Sequence, residues 1–550
     1  MNHVTAVSVL IASVLSGHAG AVALAGDDSL IGHWPLLGDV QDRSGNQNHG
    51  VNHGVELKAN CPASFDGVNS WIEVPHSDSL ALDNDEFTVA VSVRTEASID
   101  DVIGDLVSKF DAGSRRGFQL SVKNHAGVTS SQSNDRHLHF GIDNGQIEPE
   151  WTDHGHLGDA ILVYGMAVCN DQLFAGTCVP GKDAAGHVYR FDGKQWTDCG
   201  SPDRCNSVSS LAVLDGRLYV GTARYRLRGS SLAESENPHN GGNVYRYEDD
   251  GTWTHCGSLP DVEAINGMVV YKGKLYASSM YAPAALYRYD GGKMWTSCGV
   301  PDDRRVESLA VYNGYLYATG YDEGAVYRFD GTDWAHMGKV SPGSTQTYGF
   351  AVYQGNLHVS EWPQANVYRF DGPDQWTSIG KLGDEKESMP LTVYNGKMYS
   401  GTLPLAAVYR YDGGTNWTSI GRVDTTPDVR YRRAWSMAVF QGRLFVGTLP
   451  GGRVLSIEAG KNATYDTALK PGWRHIAACR DKQRLTVYVD GKPVASSSTF
   501  DAADYDLTND EPLRIGFGPH DYFNGRMKNL RLYRRTLTEA GIHQLLREDR

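Results

Sequence analysis

The stretch that decides the fold is Glu307-Ser-Leu-Ala-Val-Tyr-Asn-Gly-Tyr-Leu-Tyr-Ala-Thr-Gly320, followed after a short loop by Ala325-Val-Tyr-Arg-Phe-Asp-Gly331. Two apolar, aromatic-rich runs flank Asn313-Gly314. Asn-Gly between such runs signals a hairpin, because both turn positions need a positive φ. Val-Tyr-Arg-Phe reads as a third strand, and Asp330-Gly331 turns it into a fourth that carries Trp334. Working outward, the same unit is written seven times, with marker tryptophans at Trp151, Trp196, Trp253, Trp295, Trp334, Trp376 and Trp417. Their spacing runs from 39 residues (Trp295 to Trp334) to 57 (Trp196 to Trp253). Four antiparallel strands repeated at about that period describe the blades of a β-propeller.

The end copies predict how the ring closes. The first begins with the tryptophan strand alone, Glu150-Trp151-Thr152, and the last stops at Val454-Leu455-Ser456-Ile457 with no further turn. The N-terminal strand is therefore expected to complete the last of seven blades, leaving no open sheet edge. The recurring Tyr-Arg pairs, such as Tyr287-Arg288 and Tyr409-Arg410, are expected to serve stacking between blades, since a single site does not need six copies.

With 550 residues the chain is long enough for a second core. Residues 1–25 read as a signal peptide, with an apolar run from Val4 to Leu15 and Ala23-Leu24-Ala25 before the cleavage position. That run falls short of the roughly 20 residues that span a bilayer, and no later segment qualifies. A secreted, periplasmic or cell-surface protein is expected. A net charge of −14 argues against general nucleic-acid binding, which needs basic surface to neutralise phosphates. Of eight cysteines, Cys199, Cys256 and Cys298 hold the same repeat position and read as small buried residues. Cys178 with Cys205, and Cys61 with Cys479, are candidate neighbours whose pairing the sequence leaves open.

The flanks, 26–148 and 461–550, alternate strands with turn signals, and only Thr538 to Glu548 reads as a helix. Together they resemble one LamG-like, concanavalin A-type jelly roll. The first flank carries Gly32-His-Trp-Pro-Leu, Asp42-Arg-Ser-Gly-Asn and Ser64-Phe-Asp-Gly-Val-Asn-Ser-Trp-Ile-Glu-Val-Pro. The second carries Gly472-Trp-Arg-His-Ile-Ala, Tyr488-Val-Asp-Gly-Lys and Phe523-Asn-Gly-Arg-Met. The fold expected is thus all-β, with a seven-bladed propeller at 149–460 inserted into a β-sandwich. A ring closed by a shared blade brings its ends together, as insertion into a loop requires. The resemblance implies a sugar-binding module with calcium on its rim, for which Asp42, Asn46 and Asp66 offer oxygen ligands. Such residues also cap turns, and Trp34, Trp71 and Trp473 read first as core and strand positions.

Within the repeats, chemistry is expected where the copies differ. Two loop sets, after each tryptophan strand and after each second strand, should open on one face. They hold Arg304, Arg305, Glu307, Tyr321, Glu385 to Glu387 and Arg430 to Trp435, with Thr222 to Asn243 the longest. This mixture suits an extracellular, anionic glycan. Arg226, Arg304 and Arg433 would bind carboxylate or sulfate, and Tyr281, Tyr431, Trp362 and Trp435 would stack on sugar rings. His239 or His154 with Tyr225 or Tyr348 would form a base and acid pair for β-elimination of a uronate. Alternatively, Glu263, Glu307 or Glu361 would pair with a second carboxylate for hydrolysis. The Asp-Gly-Gly turns at Asp290 and Asp412 are similar to sialidase Asp boxes but lack the leading Ser or Thr. Seven-bladed polysaccharide lyases offer a fold-level analogy only. No nucleophile elbow, zincin helix or phosphate loop is present. A glycan-processing enzyme and a non-catalytic adhesion or protein-interaction module both fit these observations.

Overall fold

The computed structural model describes residues 27–549. The expected leader at 1–25 lies outside them. Within the repeat region, each Asn-Gly-type turn has both residues at positive φ, as at Asn313 (49°) and Gly314 (76°), and joins two antiparallel strands, Val306–Tyr312 and Tyr315–Gly320. Five four-stranded antiparallel sheets stand separately. One of them pairs Arg453–Ile457 with the N-terminal strand Thr152–His156, through Ser456 opposite Thr152, so the two ends of the repeats share a blade. The remaining eight strands, from Leu162–Cys169 to Trp253–Ser258, form one sheet. Two repeat units merge there at the pair Cys178–Ser207. The expectation of seven separate blades is corrected accordingly: five are discrete, and two repeats run together because the end of the strand Gln172–Cys178 pairs with the start of the strand Ser207–Leu214.

The marker tryptophans are links rather than core filler. Each indole N–H donates to the backbone carbonyl three residues after the tryptophan of the preceding repeat. Trp196 reaches His154 (3.2 Å), Trp253 Cys199 (3.0 Å), Trp295 Cys256 (2.9 Å) and Trp334 Cys298 (3.2 Å). Trp376 reaches Met337 (2.9 Å), Trp417 Ile379 (2.9 Å), and Trp151 closes the circuit on Ile420 (2.8 Å). The cysteines at this position lend their carbonyls to the circuit. Cys256 is buried, whereas Cys199 and Cys298 are only half-buried. All eight cysteines are free, with Cys61 exposed while Cys479 is buried.

Strands from both flanks interleave in two sheets. Phe87–Thr95 pairs with Gly472–Arg480, Ala90 opposite Ala477. Asn134–Asn144 pairs with Lys461–Tyr465, Phe140 opposite Ala463. Trp34, Phe87, Phe118, Phe140 and Ile476 fill one core between the sheets. Trp34 is fully buried, with Nε1 donating to the Asn48 carbonyl at 2.8 Å. Trp71 and Trp473 are only half-buried. The helix runs Glu539–Glu548, capped by Thr538, whose hydroxyl accepts from Gly541 N–H.

The sandwich covers the hairpin-turn face of the repeats. Gly314 N–H donates to Asp101 (3.1 Å), Gln354 N–H to the Pro519 carbonyl (3.0 Å) and Gly442 N–H to Thr464 Oγ1 (2.9 Å). A Cβ on Gly396 would stand 2.4 Å from the Phe110 ring, so glycine there is what allows the contact. From this face the sandwich loop 126–134 enters the centre of the ring and bonds to the innermost strands. Thr129 Oγ1 donates to the Trp435 carbonyl (2.7 Å), Ser130 Oγ to Ser209 (2.7 Å), and Ser133 Oγ to Met437 (2.7 Å). Met268 and Phe350 N–H donate back to the loop's carbonyls. The centre of the ring is therefore closed on one side, and what remains is a cup on the other.

Candidate functional site

The cup is a cavity of about 920 Å³ with Thr129 of the plugging loop in its wall. Its other walls come from the ends of inner strands and from loops after second strands. Each inner strand carries a register shift near its start, for instance between Val306 and Leu309, Thr347 and Phe350, and Ala434 and Ser436. Such bulges re-aim a side chain, and the residues inside them are Glu307, Tyr348 and Trp435, with Tyr164, Asn266 and Met389 at equivalent places. All six line the cavity. About five residues of strand, or roughly 17 Å, separate Glu307 from the turn that meets the sandwich.

Three arginines lie over aromatic rings with an acidic partner each. The Arg226 guanidinium stands 4.3 Å from the Tyr281 ring centre and pairs with Glu263. Arg305 lies 4.2 Å from Tyr321 and pairs with Asp322. Arg433 is buried, 4.9 Å from the Trp435 ring; its Nε meets Glu387 at 3.1 Å and Nη1 meets Ser230 Oγ at 2.5 Å. Planar stacking and forked donors leave guanidinium edges free for a planar anion. Arg224 reaches only Asn240 (3.5 Å), and Arg228 has no acidic partner for its side chain among the described residues.

Glu307 is buried, 5% exposed. Burial raises its pKa to about 8, Arg305 offsets only part of this, and Glu387 and Asp322 add to it. It is therefore protonated near neutrality, beside a Glu387 that is ion-paired with Arg433. Burial pushes the Tyr225 hydroxyl up to about 12, and Tyr225 bonds Ser230 Oγ at 2.6 Å. Tyr348, also pushed well up by burial, donates to Gln346. Trp435 Nε1 is buried without a partner among the described residues.

Ten of the residues chosen from the sequence meet here: Tyr225, Tyr348, Glu263, Glu307, Arg226, Arg433, Tyr281, Tyr431, Trp362 and Trp435. Three do not. His154 belongs to the outer strand of the shared blade, where Nε2 bonds Ser456 Oγ (2.7 Å) and the ring packs on Phe445. His239 sits in the long loop behind Asn237, away from the lining. Arg304 points outward to Glu323 (3.5 Å). Among the described residues no histidine lines the cavity, so the histidine-based elimination has no base there. Glu361 is buried away from the lining and caps its own loop, accepting from Ser344 Oγ and from Gln364 and Asn366 N–H. Asp42 is likewise committed: it accepts from His33, Ser44 and Asn48 N–H and from Ser44 Oγ. Asp66 Oδ1 gathers Val68, Asn69 and Ser70 N–H. Both are turn caps.

Sequence reasoning assigned no role to Tyr164, Asn266, Arg305, Tyr321, Met389 or Glu387, nor to Thr129. A signal existed for three of them. Three residues before the Ala or its equivalent in each inner strand stand Tyr164, Ser209, Asn266, Glu307, Tyr348, Met389 and Trp435. That column holds six residue types in seven copies, only Tyr164 and Tyr348 agreeing, while its neighbours repeat. Thr129 had no such signal, because it comes from outside the repeats.

A family model described as the concanavalin A-like lectin/glucanases superfamily matches residues 406–543. The match takes in the last repeat strands and most of the second flank, and the chain carries a domain of that kind. Among solved structures, virginiamycin B lyase from Staphylococcus aureus, in an inactive form with quinupristin, is 14% identical with a TM-score of 0.44, over 56% of this chain and 99% of its own. A streptogramin B lyase is 11% identical, TM-score 0.45, over 56% and 97%. The extracellular domain of a protein described as a hybrid two component system from B. thetaiotaomicron is 12% identical, TM-score 0.41, over 64% and 47%. No curated protein matches the chain.

Proposed function

We propose that the cup binds a segment of an acidic extracellular glycan. One observation carries this reading: aromatic faces, stacked arginines and a protonated carboxyl converge in a single concave space of about 920 Å³. That volume suits a small oligosaccharide segment. Tyr281, Tyr431 and Trp362, each partly exposed, supply faces for sugar rings, with the buried Trp435 backing the wall beneath Arg433, and Arg224, Arg228 and Arg226 supply donors for a carboxylate or sulfate. The protonated Glu307 donates a hydrogen bond instead of repelling the anion. The concanavalin A-like sandwich, built from 26–148 and 461–550 around the repeats at 149–460, is proposed as a second carbohydrate contact in a secreted or surface protein. Calorimetric titration with acidic and matched neutral oligosaccharides tests the reading. Acidic ligands are expected to bind, and Arg224→Gln with Arg228→Gln to weaken them at least tenfold. Equal binding of neutral and acidic ligands, or none of either, would refute it.

The unequal environments of Glu307 and Glu387 favour a second step, hydrolysis with Glu307 as general acid. Mass spectrometry of products separates the outcomes. Fragments carrying an added water, lost in Glu307→Gln while binding persists, support hydrolysis. Unsaturated fragments mean elimination by other groups, and unchanged but bound polymer means a non-catalytic binding module.

A further inference from the structure

The cup is blind, and this limits how a polymer can use it. The sandwich loop that plugs the ring is buried from Val128 to Asn134 and bonds to inner strands around the centre. Val168 N–H donates to the Ser133 carbonyl (2.9 Å), Met268 N–H to Ser130 (3.0 Å), Phe350 N–H to Gly127 (2.8 Å) and Val439 N–H to Asn134 Oδ1 (3.1 Å). A chain that enters the cup therefore finds its way through the ring blocked. Walls rise from this floor. Arg305 and Ser308, three residues apart at the start of one inner strand, both line the cavity, so the wall there is roughly 10 Å deep. The loop Thr222 to Asn243 adds a fixed wall beside the first repeat. Asn237 Nδ2 donates to the Ala184 (2.7 Å) and Arg204 (3.0 Å) carbonyls, and Asn206 and Tyr225 exchange two bonds (2.8 and 2.9 Å). Arg433 reaches Ser230 of this loop from the last repeat (2.5 Å). Trp362, from the repeat before Glu387, and Tyr431, from the start of the repeat after it, meet edge to face with ring centres 6.5 Å apart, which bridges that part of the rim.

We propose that the cup takes the end of a glycan chain rather than an internal stretch, and so recognises the terminal units of an acidic polysaccharide. The inference rests on the acidic-glycan reading above and adds the mode of binding to it. An internal segment must leave its site in two directions. With the floor closed, both arms would have to return through one mouth. Pyranose rings joined by glycosidic bonds are too stiff to double back within a space of about 920 Å³. A chain end needs a single exit, which the cup provides. The charges are layered in the same sense. Arg226 and Arg228 line the cavity from exposed positions on the raised loop, where the following units of an acidic chain would pass. The buried Glu307 lies two residues further in than Arg305, beside the end unit. The loop Thr222 to Asn243 and the contact between Trp362 and Tyr431 thereby determine specificity, because they turn an open groove into a cup.

The test uses the full chain with polygalacturonate and hyaluronate, each as a short fraction of narrow length and one tenfold longer. Analytical ultracentrifugation counts the protein molecules carried by each polysaccharide chain. The count is expected to be the same on short and long chains, no more than one protein per chain end. Blocking both ends of the short fraction with bulky fluorophores is expected to abolish its binding. Counts that climb with chain length, or undiminished binding of the blocked fraction, overturn the inference while leaving the acidic-glycan reading intact. No binding of either polymer at either length refutes that reading, and the inference falls with it. Trp362→Ala combined with Tyr431→Ala breaches the rim and is expected to raise the count on long chains severalfold; a folded variant whose count stays unchanged would show that this rim does not set the mode of binding. The measurement on the unaltered chain decides the matter even if the variant fails to fold.

Discussion

Replacing Glu307 by glutamine should change how stability depends on pH. In the folded chain this carboxyl titrates at about 8, against 4.5 for an ordinary Glu, because burial outweighs the help from Arg305 and Asn266 while Glu387 and Asp322 oppose ionisation. A raised carboxyl means that the folded state holds a proton the unfolded state has released. Its favourable contribution is therefore complete below pH 4.5 and is lost as pH climbs from 4.5 to about 8. The loss is about 1.4 kcal/mol per pH unit across that window, on the order of 5 kcal/mol in all. The glutamine amide cannot ionise and keeps a similar shape. The two proteins should have nearly equal stability at pH 4.5 and diverge steadily above it, with Glu307→Gln more stable by a few kcal/mol at pH 8. Denaturant titrations at five or six pH values would measure this directly. Stability curves that stay parallel from pH 4.5 to 8 would show that Glu307 is ionised in the fold, and the proton-donor role would fall with it.

Two further outcomes follow from the same geometry. Arg433→Met strands the Glu387 carboxylate in the cup and should cost about 3–5 kcal/mol, while Arg433→Met with Glu387→Gln recovers most of that loss in chemical denaturation. Trp151→Phe removes the indole donor that closes the circuit on Ile420, and should cost about 1 kcal/mol in the same assay beyond any packing change.

The reach of the sequence follows from the range of the interactions involved. Strands, hairpin turns and the sharing of a blade by the two ends were legible because they rest on local rules: positive φ at Asn313-Gly314, apolar runs on either side of that turn, and a missing fourth strand after Ile457. Much of the cup was legible too, because a repeat marks its functional positions by letting them vary. The copies could not show that Val306–Tyr312 and its counterparts bulge where Glu307, Tyr348 and Trp435 sit, and so turn those side chains inward. Nor could they show that His154 would be spent on Ser456 in an outer strand. Composition likewise cannot state the pKa of Glu307, which depends on burial by residues far away in sequence. The sequence by itself determined the secondary structure and the repeat, which periodicity and turn chemistry set, and it carried the motifs by which the two flanks resemble a single sandwich. Only the tertiary structure decided the rest. A sandwich loop at 126–134 plugs the ring through contacts such as Thr129 with Trp435, and Arg433 holds Ser230 so that the long loop stands as a wall of the cup. These contacts join residues hundreds of positions apart, and pairing at that distance leaves no local pattern to read.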